Sequence, residues 1–433
     1  MRRKLGSMEM AQAISNEIYG FNVVAVLNII NGPSEETLRN VSEYLQRRHP
    51  LLGVHIKKEK GWYLYVSEGT PGIPLTVIER QNSDHWQQVV EEELRRKFDM
   101  FTGPLVRFTY LTGPKGQKES EIIITFQHSL IDAVSGGSLL HEILSVCEAV
   151  ESRGSIDTFE IFEPLPAVDA FFPPAFKGFR RKWNLFLFML RQIGDEFLFQ
   201  LRTRGRRKAP VHREGACKIL PMKLSEELTS ALLKSSRKRR ITLNNLLNAA
   251  LLMVVQKHLY AGQGLPLRLI NTADLRPYLI PPLDAGYFGS YFSMMRFTVR
   301  VKENPNVWEL AHELNDLIYV SFKRGDKFCS VLFSYRMMRM LFRFKSFRMA
   351  AAALSFTGSL QLEKSYGKIK VRDFHAYPSN FVVGPEYSAA ARLFNNQIYW
   401  DILYLDSDMD QNRAVVLAND IRTILESAVE EEL

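Results

Sequence analysis

The sequence predicts a mixed α/β protein made of two halves with similar content. β-rich runs and helix-patterned runs alternate along most of the chain. A proline-broken, strongly basic stretch at residues 151–215 interrupts that alternation, and the same mixture of elements resumes after it. A chain of 433 residues ordinarily divides into about two domains of roughly 200 residues. We therefore expect an N-terminal subdomain over 1–165, a connecting segment over 166–215 and a C-terminal subdomain over 216–433. A pseudo-duplicated architecture fits this content.

In the first half, Phe21 to Ile30 (FNVVAVLNII) reads as a strand. Gly32-Pro33-Ser34 supplies a turn and a helix N-cap, so an amphipathic helix should run on to Arg48. Leu51 to Lys57 and Trp62 to Val66 pair as a hairpin around Lys60-Gly61. A helix over about 83–97 follows, then strands at Leu105–Leu111 and Glu121–Thr125 with Gly113-Pro114-Lys115-Gly116 as the turn between them. A helix from about Ser135 to Val150 closes this half.

The connecting segment carries Pro164, Pro166, Pro173 and Pro174 and a crowd of Arg and Lys from Lys177 to Arg213. Inside it, the apolar run Trp183 to Leu190 is flanked by Arg180, Arg181, Lys182 and Arg191. Two readings stay open for it: a crossover helix packed on the protein, or an interfacial helix that presses onto a membrane or a lipid substrate, giving peripheral membrane contact through 177–208. Beyond it, Ser225–Arg239 and Thr242–Tyr260 are helical in pattern, with Thr242 as a cap. Leu267–Thr272 and Tyr291–Val301 read as strands, 306–322 and 330–344 as helices. Several β-like runs lie between Leu354 and Leu405, and a last helix starts after Asp410.

Composition narrows the partners. The formal net charge of +9 suits an anionic partner such as a coenzyme A ester, a phosphopantetheine carrier, an anionic membrane or nucleic acid. No RNP stretch or zinc finger stands out, which puts nucleic acid last. The three cysteines, Cys147, Cys217 and Cys329, have neither zinc nor redox spacing and read as free thiols of a reducing cytoplasm. The nine histidines form no cluster suited to a metal. The basic start Met1-Arg2-Arg3-Lys4 lacks a following apolar region, and no window has the roughly 18 apolar residues of a membrane span. The expectation is a soluble, cytoplasmic monomer, peripheral to a membrane at most.

One constellation carries chemistry. The β-rich run Ile122 to Phe126 delivers Gln127 and His128 at its end; Asp132 follows four residues on, and Gly136-Gly137 opens the next helix. A strand end beside glycines lets a side chain project into a cleft. Histidine, with an ordinary pKa near 6.5, is the natural general base at neutral pH, and such catalysis is worth about 10² to 10⁴ in rate. The spacing alone is weak, because His312 to Asp316 repeats it on the polar face of a helix, as a routine surface pair. On these residues alone, a structural His128 stays open. Gly136-Gly137 is not followed by Gly-Lys-Ser/Thr and is not a phosphate loop, and no Gly-x-Ser-x-Gly nucleophile motif occurs. Asp401, Asp406, Asp408 and Asp410 lack the Gly and Glu of a calcium loop and read as a solvated turn with a helix cap.

Residues Thr125 to Ala133 resemble the His-His-x-x-x-Asp-Gly motif of the condensation-domain and chloramphenicol-acetyltransferase-like superfamily. Within it the chain looks most like alcohol acyltransferases of the phthiocerol dimycocerosyl transferase type. Ala25 to His49-Pro50-Leu51-Leu52, Asp274-Leu275-Arg276-Pro277, Gly286-Tyr287-Phe288-Gly289-Ser290 and Ser355-Phe356-Thr357-Gly358 resemble further segments of those proteins, in the same order. The resemblance implies two acetyltransferase-like subdomains in a V-shaped pseudo-dimer with an interface tunnel. It implies His128 as general base and Asp132 as a structural residue paired with Arg276. Gly289 would border the tunnel, and Ser355 and Thr357 would be oxyanion donors or ordinary polar residues of a strand. It also implies an acyl-CoA or acyl-carrier-protein thioester as donor substrate, a hydroxylated, lipid-like acceptor, and no metal or other cofactor. Two positions depart from the motif: Gln127 stands for its first histidine and Ala133 for its glycine. They keep a non-catalytic docking module open as an alternative, beside amide formation of the peptide-condensation kind.

Overall fold

The structure, a computed structural model, describes all residues except 115–116, 155–159, 205–214, 344–347 and 431–433. The turn residues Lys115 and Gly116 and part of the basic connecting segment thus lie outside the described residues.

In chain order, β1 (Arg2–Lys4), α1 (Ser7–Ile18), β2 (Asn22–Ile30) and α2 (Glu35–Arg48) come first. Then follow β3 (His55–Glu59), β4 (Trp62–Val66), β5 (Leu75–Glu79), α3 (His85–Arg95), β6 (Val106–Thr112), β7 (Glu119–Gln127) and α4 (Ala133–Arg153). The middle of the chain forms α5 (Gly178–Thr203), β8 (Cys217–Lys223), α6 (Glu226–Lys238), α7 (Leu243–Leu259), β9 (Pro266–Asp274) and β10 (Phe292–Arg300). After these come α8 (Val307–Arg324), α9 (Asp326–Arg343), β11 (Ala352–Ser359), β12 (Ser365–Tyr366) and β13 (Ile369–Pro378). The last elements are β14 (Tyr387–Phe394), β15 (Gln397–Leu405) and α10 (Gln411–Glu430).

Local chemistry sets many of these boundaries. Ser34, Ser225, Thr242 and Asn306 each accept a backbone N–H of the first helical turn and so start α2, α6, α7 and α8. Gly154 and Gly325 end α4 and α8 in the left-handed conformation. Pro50–Gly53 forms a single 3-10 turn, so the first strand of the expected hairpin starts only at His55.

Two compact units result. The first comprises Met1–Phe171, Arg276–Phe292 and Ser359–Ser379; the second comprises Phe172–Leu275, Ser293–Gly358 and Asn380–Leu433. Their limits do not follow a contiguous division at 165 and 216. The cause is visible in the first unit's six-stranded sheet, ordered β12-β13-β2-β7-β6-β5. There β13, from late in the chain, pairs antiparallel with β2, Pro378 opposite Val23 and Lys370 opposite Ile30. Beside this sheet stands a three-stranded one, β1-β4-β3.

The second unit has its own six-stranded sheet, ordered β10-β9-β11-β14-β15-β8, with β9 and β11 parallel. Its core gathers around α7, which is apolar on nearly every side and buried accordingly: Leu246, Leu247, Leu251 and Val254 are fully covered. Asp401 lies in this unit and corrects the expectation of a solvated turn. It sits within β15, completely buried, and is ion-paired with Arg392 of β14. Asp408 pairs with Arg348 at 2.6 Å, and Asp410 caps the start of α10 by accepting the Arg413 N–H. The three cysteines are free and buried, and among the described residues no group of His, Cys, Asp and Glu is placed to hold a metal.

Candidate active site

The antiparallel ladder between β2 and β7 ends at Asn22 opposite Gln127. One further bond, from the His128 N–H to the Phe21 carbonyl (3.1 Å), carries the pairing a residue beyond the sheet. The chain then turns through His128–Leu130 in a 3-10 turn before α4 begins. His128 is half-buried, its ring stacked between Phe21 and Phe292 with centroids at 5.2 and 5.5 Å.

Gln127 is fully buried and organises this turn. Its amide nitrogen donates to the backbone carbonyls of Gln12 (3.0 Å) and Phe21 (3.4 Å). Its carbonyl oxygen accepts the Ser129 N–H (2.9 Å) and the Ser129 hydroxyl. The Tyr65 hydroxyl donates to Ser129 Oγ at 2.7 Å, and burial pushes that phenol well above its ordinary pKa, keeping it a donor. Ala133, where the motif has glycine, is the first residue of α4 and keeps a negative φ, so its side chain brings no backbone strain. Gly137 is the glycine that packing requires: a Cβ there would come within 3.0 Å of Leu360.

Nδ1 of His128 faces two groups, the Ile131 carbonyl at 3.3 Å and the Gln12 amide at 3.1 Å. A carbonyl only accepts, so it favours the tautomer with the proton on Nδ1. The structure turns Gln12 Nε2, a donor, toward the same nitrogen; the two ends of that amide have the same shape, and with Oε1 toward the ring instead the Nδ1 proton gains a second acceptor. Both contacts fall on Nδ1, which leaves Nε2 as the nitrogen to receive a proton. Burial lowers the His128 pKa below its usual value, with the Ile131 carbonyl and the charge of Asp132 opposing in part. The ring is therefore neutral at pH 7.

Asp132 does not orient that ring. Its carboxylate caps α4 by accepting the Ser135 N–H (2.9 Å), accepts the Tyr291 N–H (2.6 Å), and pairs with Arg276 through both oxygens. Arg276 also donates to Ser135 Oγ at 2.7 Å, and its guanidinium lies over the Tyr291 ring. Gly289 is stitched to the same place: its carbonyl accepts the Asp132 N–H (3.2 Å) and the Ser135 hydroxyl (2.8 Å). A side chain at Gly289 would run into the Tyr291 ring at 2.7 Å.

The structure thus brings His128, Asp132, Arg276 and Gly289 together in the first unit, with Gln12, Phe21, Tyr65 and Phe292 added. Ser355 and Thr357 lie on β11 in the second unit, half-buried, with Ser355 Oγ accepting the Thr272 hydroxyl at 3.2 Å. His312 and Asp316 are both exposed on α8. The second unit also holds a cavity of about 180 Å³ lined by Arg191, Asp195, Arg296, Arg324 and Asp326 among others. It contains none of the residues singled out by the motif.

Known proteins can be set beside this geometry. Residues 214–384 match the family model for the phthiocerol/phthiodiolone dimycocerosyl transferase C-terminus. That match covers less than half of the chain. Polyketide synthase associated protein 5 from Mycobacterium tuberculosis shares the fold with a TM-score of 0.71 at 16% identity, covering 100% of this chain and 99% of that one. The TRI3 trichothecene 15-O-acetyltransferase from Fusarium sporotrichioides gives 0.78 at 11% identity, covering 99% and 95%. The first condensation domain of the calcium-dependent antibiotic synthetase gives 0.75 at 12% identity, covering 99% and 97%. At such identities the likeness is one of fold. No curated protein sequence matches the chain.

Proposed function

We propose that the protein transfers an acyl group from a coenzyme A or carrier-protein thioester to a hydroxyl acceptor, with His128 as general base. The observation that carries this reading is the arrangement at the end of β7. The imidazole stacks on Phe21 and on Phe292 and meets both the Ile131 carbonyl and the Gln12 amide at Nδ1, an arrangement that supports Nε2 as the atom turned to substrate.

In this reading Nε2 takes the proton of the acceptor hydroxyl as its oxygen attacks the thioester carbon. The tetrahedral intermediate collapses with cleavage of the C–S bond, and the imidazolium returns the proton to the leaving thiolate. The electron balance needs no metal and no acyl-enzyme. The apolar walls supplied by Phe21 and Phe292 suit a lipid-like substrate, and the net positive charge suits an anionic thioester carrier. The acetyltransferase and the condensation domain that share the fold make ester and amide formation the two chemistries to separate. Both departures from the motif fit this reading: the Gln127 side chain bonds across the His128 turn, and Ala133 is the first residue of α4.

The test is thiol release from acyl-CoA esters of graded length with long-chain alcohols or amines, using the wild type and His128→Ala. Ester product that falls by about 10² or more in the variant supports the reading. Unchanged turnover by a folded His128→Ala protein would overturn it.

A further inference from the structure

Helix α5 is amphipathic the wrong way round for a helix packed on a protein. A surface helix ordinarily turns its apolar stripe to the core and its charges to water. In α5 the protein-facing side is largely polar. Arg191 pairs with Asp326 at 2.7 Å, Asp195 accepts the Thr298 hydroxyl at 2.8 Å, and Glu196 pairs with Arg268 and Arg296. Only Phe188, Phe199 and Thr203 are buried on this side.

The opposite side carries Phe179, Trp183, Phe186, Leu190, Ile193 and Phe197, all exposed, with Phe179 at 81% and Phe197 at 68%. Their spacing of four, three, four, three and four keeps them on one line along the helix, and Leu201 continues it. So long a row of large apolar side chains in water marks a surface that meets something else.

Charge identifies the occupant. Both carboxylates of α5 turn inward to the partners just named. The exposed charges on α5 and at its two caps are Lys177, Arg180, Lys182, Arg202 and Arg204, all positive. A second copy of the chain would bring two such basic borders together, whereas an anionic lipid surface complements them. No described helix is long and apolar enough to cross a membrane, and α5 combines Trp, Phe and Leu with flanking Lys and Arg, as helices that lie in the membrane interface do. We propose that the outer face of α5 docks the protein onto an anionic lipid bilayer, its apolar seam entering the headgroup region and its basic border meeting lipid phosphates. This inference stands apart from the acyltransferase reading and survives if that reading fails.

Sedimentation of the full chain with phosphatidylglycerol–phosphatidylcholine vesicles, and with phosphatidylcholine alone, tests it. The expected result is salt-sensitive binding to the anionic vesicles, with a blue shift of Trp183 emission. Binding should fall by about tenfold or more in Phe186→Asp/Phe197→Asp. Arg180→Glu/Lys182→Glu reads the electrostatic half independently and should also lose anionic binding, whether or not the first variant folds. Absence of wild-type binding, or equal binding by folded variants, overturns the proposal. So does a concentration-dependent dimer that the seam substitutions abolish, which would give the face to a second copy.

Discussion

Asp132 and Arg276, 144 residues apart in sequence, meet as a two-pronged buried ion pair, with Oδ2–Nη1 at 3.0 Å and Oδ1–Nη2 at 3.1 Å. The same carboxylate starts α4 and receives the Tyr291 N–H, so it ties the His128 turn to the segment that brings Gly289 and Phe292. Removing one member of a buried pair strands the other charge, at a typical cost of about 3–5 kcal/mol. We expect Asp132→Ala to lower stability by that order in urea titrations, and Arg276→Ala to do the same. A loss under 1 kcal/mol in both variants would show that the pair is not what holds this corner.

The pH dependence follows from the direction of the His128 shift. Burial lowers its pKa below the usual histidine value, so the neutral form, the one the proposed general base needs, persists to lower pH than for a free histidine. The acidic limb of kcat/KM should lie below pH 6.5. For stability the sign is the same: the unfolded chain binds the proton more readily, so the contribution of His128 is present above about pH 6.5 and is lost as the pH falls through its lowered folded value. An acidic limb centred above 6.5 would contradict the assignment of His128 as the titrating base.

The Gln12 amide lies 3.1 Å from Nδ1 of that histidine, which makes it a positioning residue in the proposed mechanism. Gln12→Leu should lower kcat by about tenfold with KM little changed, because the imidazole loses one of its two restraints. Gln12→Glu should restore much of kcat and move the acidic limb upward, since a carboxylate at Nδ1 favours the imidazolium. A purely structural glutamine would leave the pH profile of Gln12→Glu where it was.

Gln12 also shows where sequence reasoning stopped. The strands and helices with clean apolar periods and caps, such as β2, α2, α6 and α7, are legible within a few residues. Helix α1 is not, because half of its buried face is polar: Glu9, Gln12, Ser15 and Asn16 are covered along with Met8 and Ile14. Gln12 meets His128 and Asn16 the Phe98 backbone, and such distant pairings leave no periodic trace. The pairing of β13 with β2 is equally silent, since nothing local specifies a partner more than 300 residues away. His128 and Asp132 stood out through the strand end and the motif they resemble, whereas the capping role of Asp132 is visible only in the structure. For α5 the apolar run was plain, but the side it presents depends on the ion pairs beneath it.

The pair Arg392–Asp401 offers a test of the second unit that does not touch the proposed chemistry. The two residues stand on neighbouring strands, Asp401 opposite Ala390 and Arg392 opposite Tyr399, which places them diagonally on one face of the sheet. Both are almost wholly buried, and the Arg392 guanidinium lies 5.8 Å from the Tyr399 ring centre. Asp401→Ala should therefore cost about 3–5 kcal/mol by leaving a cation under the sheet. The double variant Arg392→Met/Asp401→Leu removes both charges while keeping volume, and should recover much of that loss. Thermal unfolding of the two single variants and the double variant measures the coupling directly. If the double variant is destabilised by the sum of the singles, the two side chains act independently, and the stability of this sheet rests on its apolar face instead.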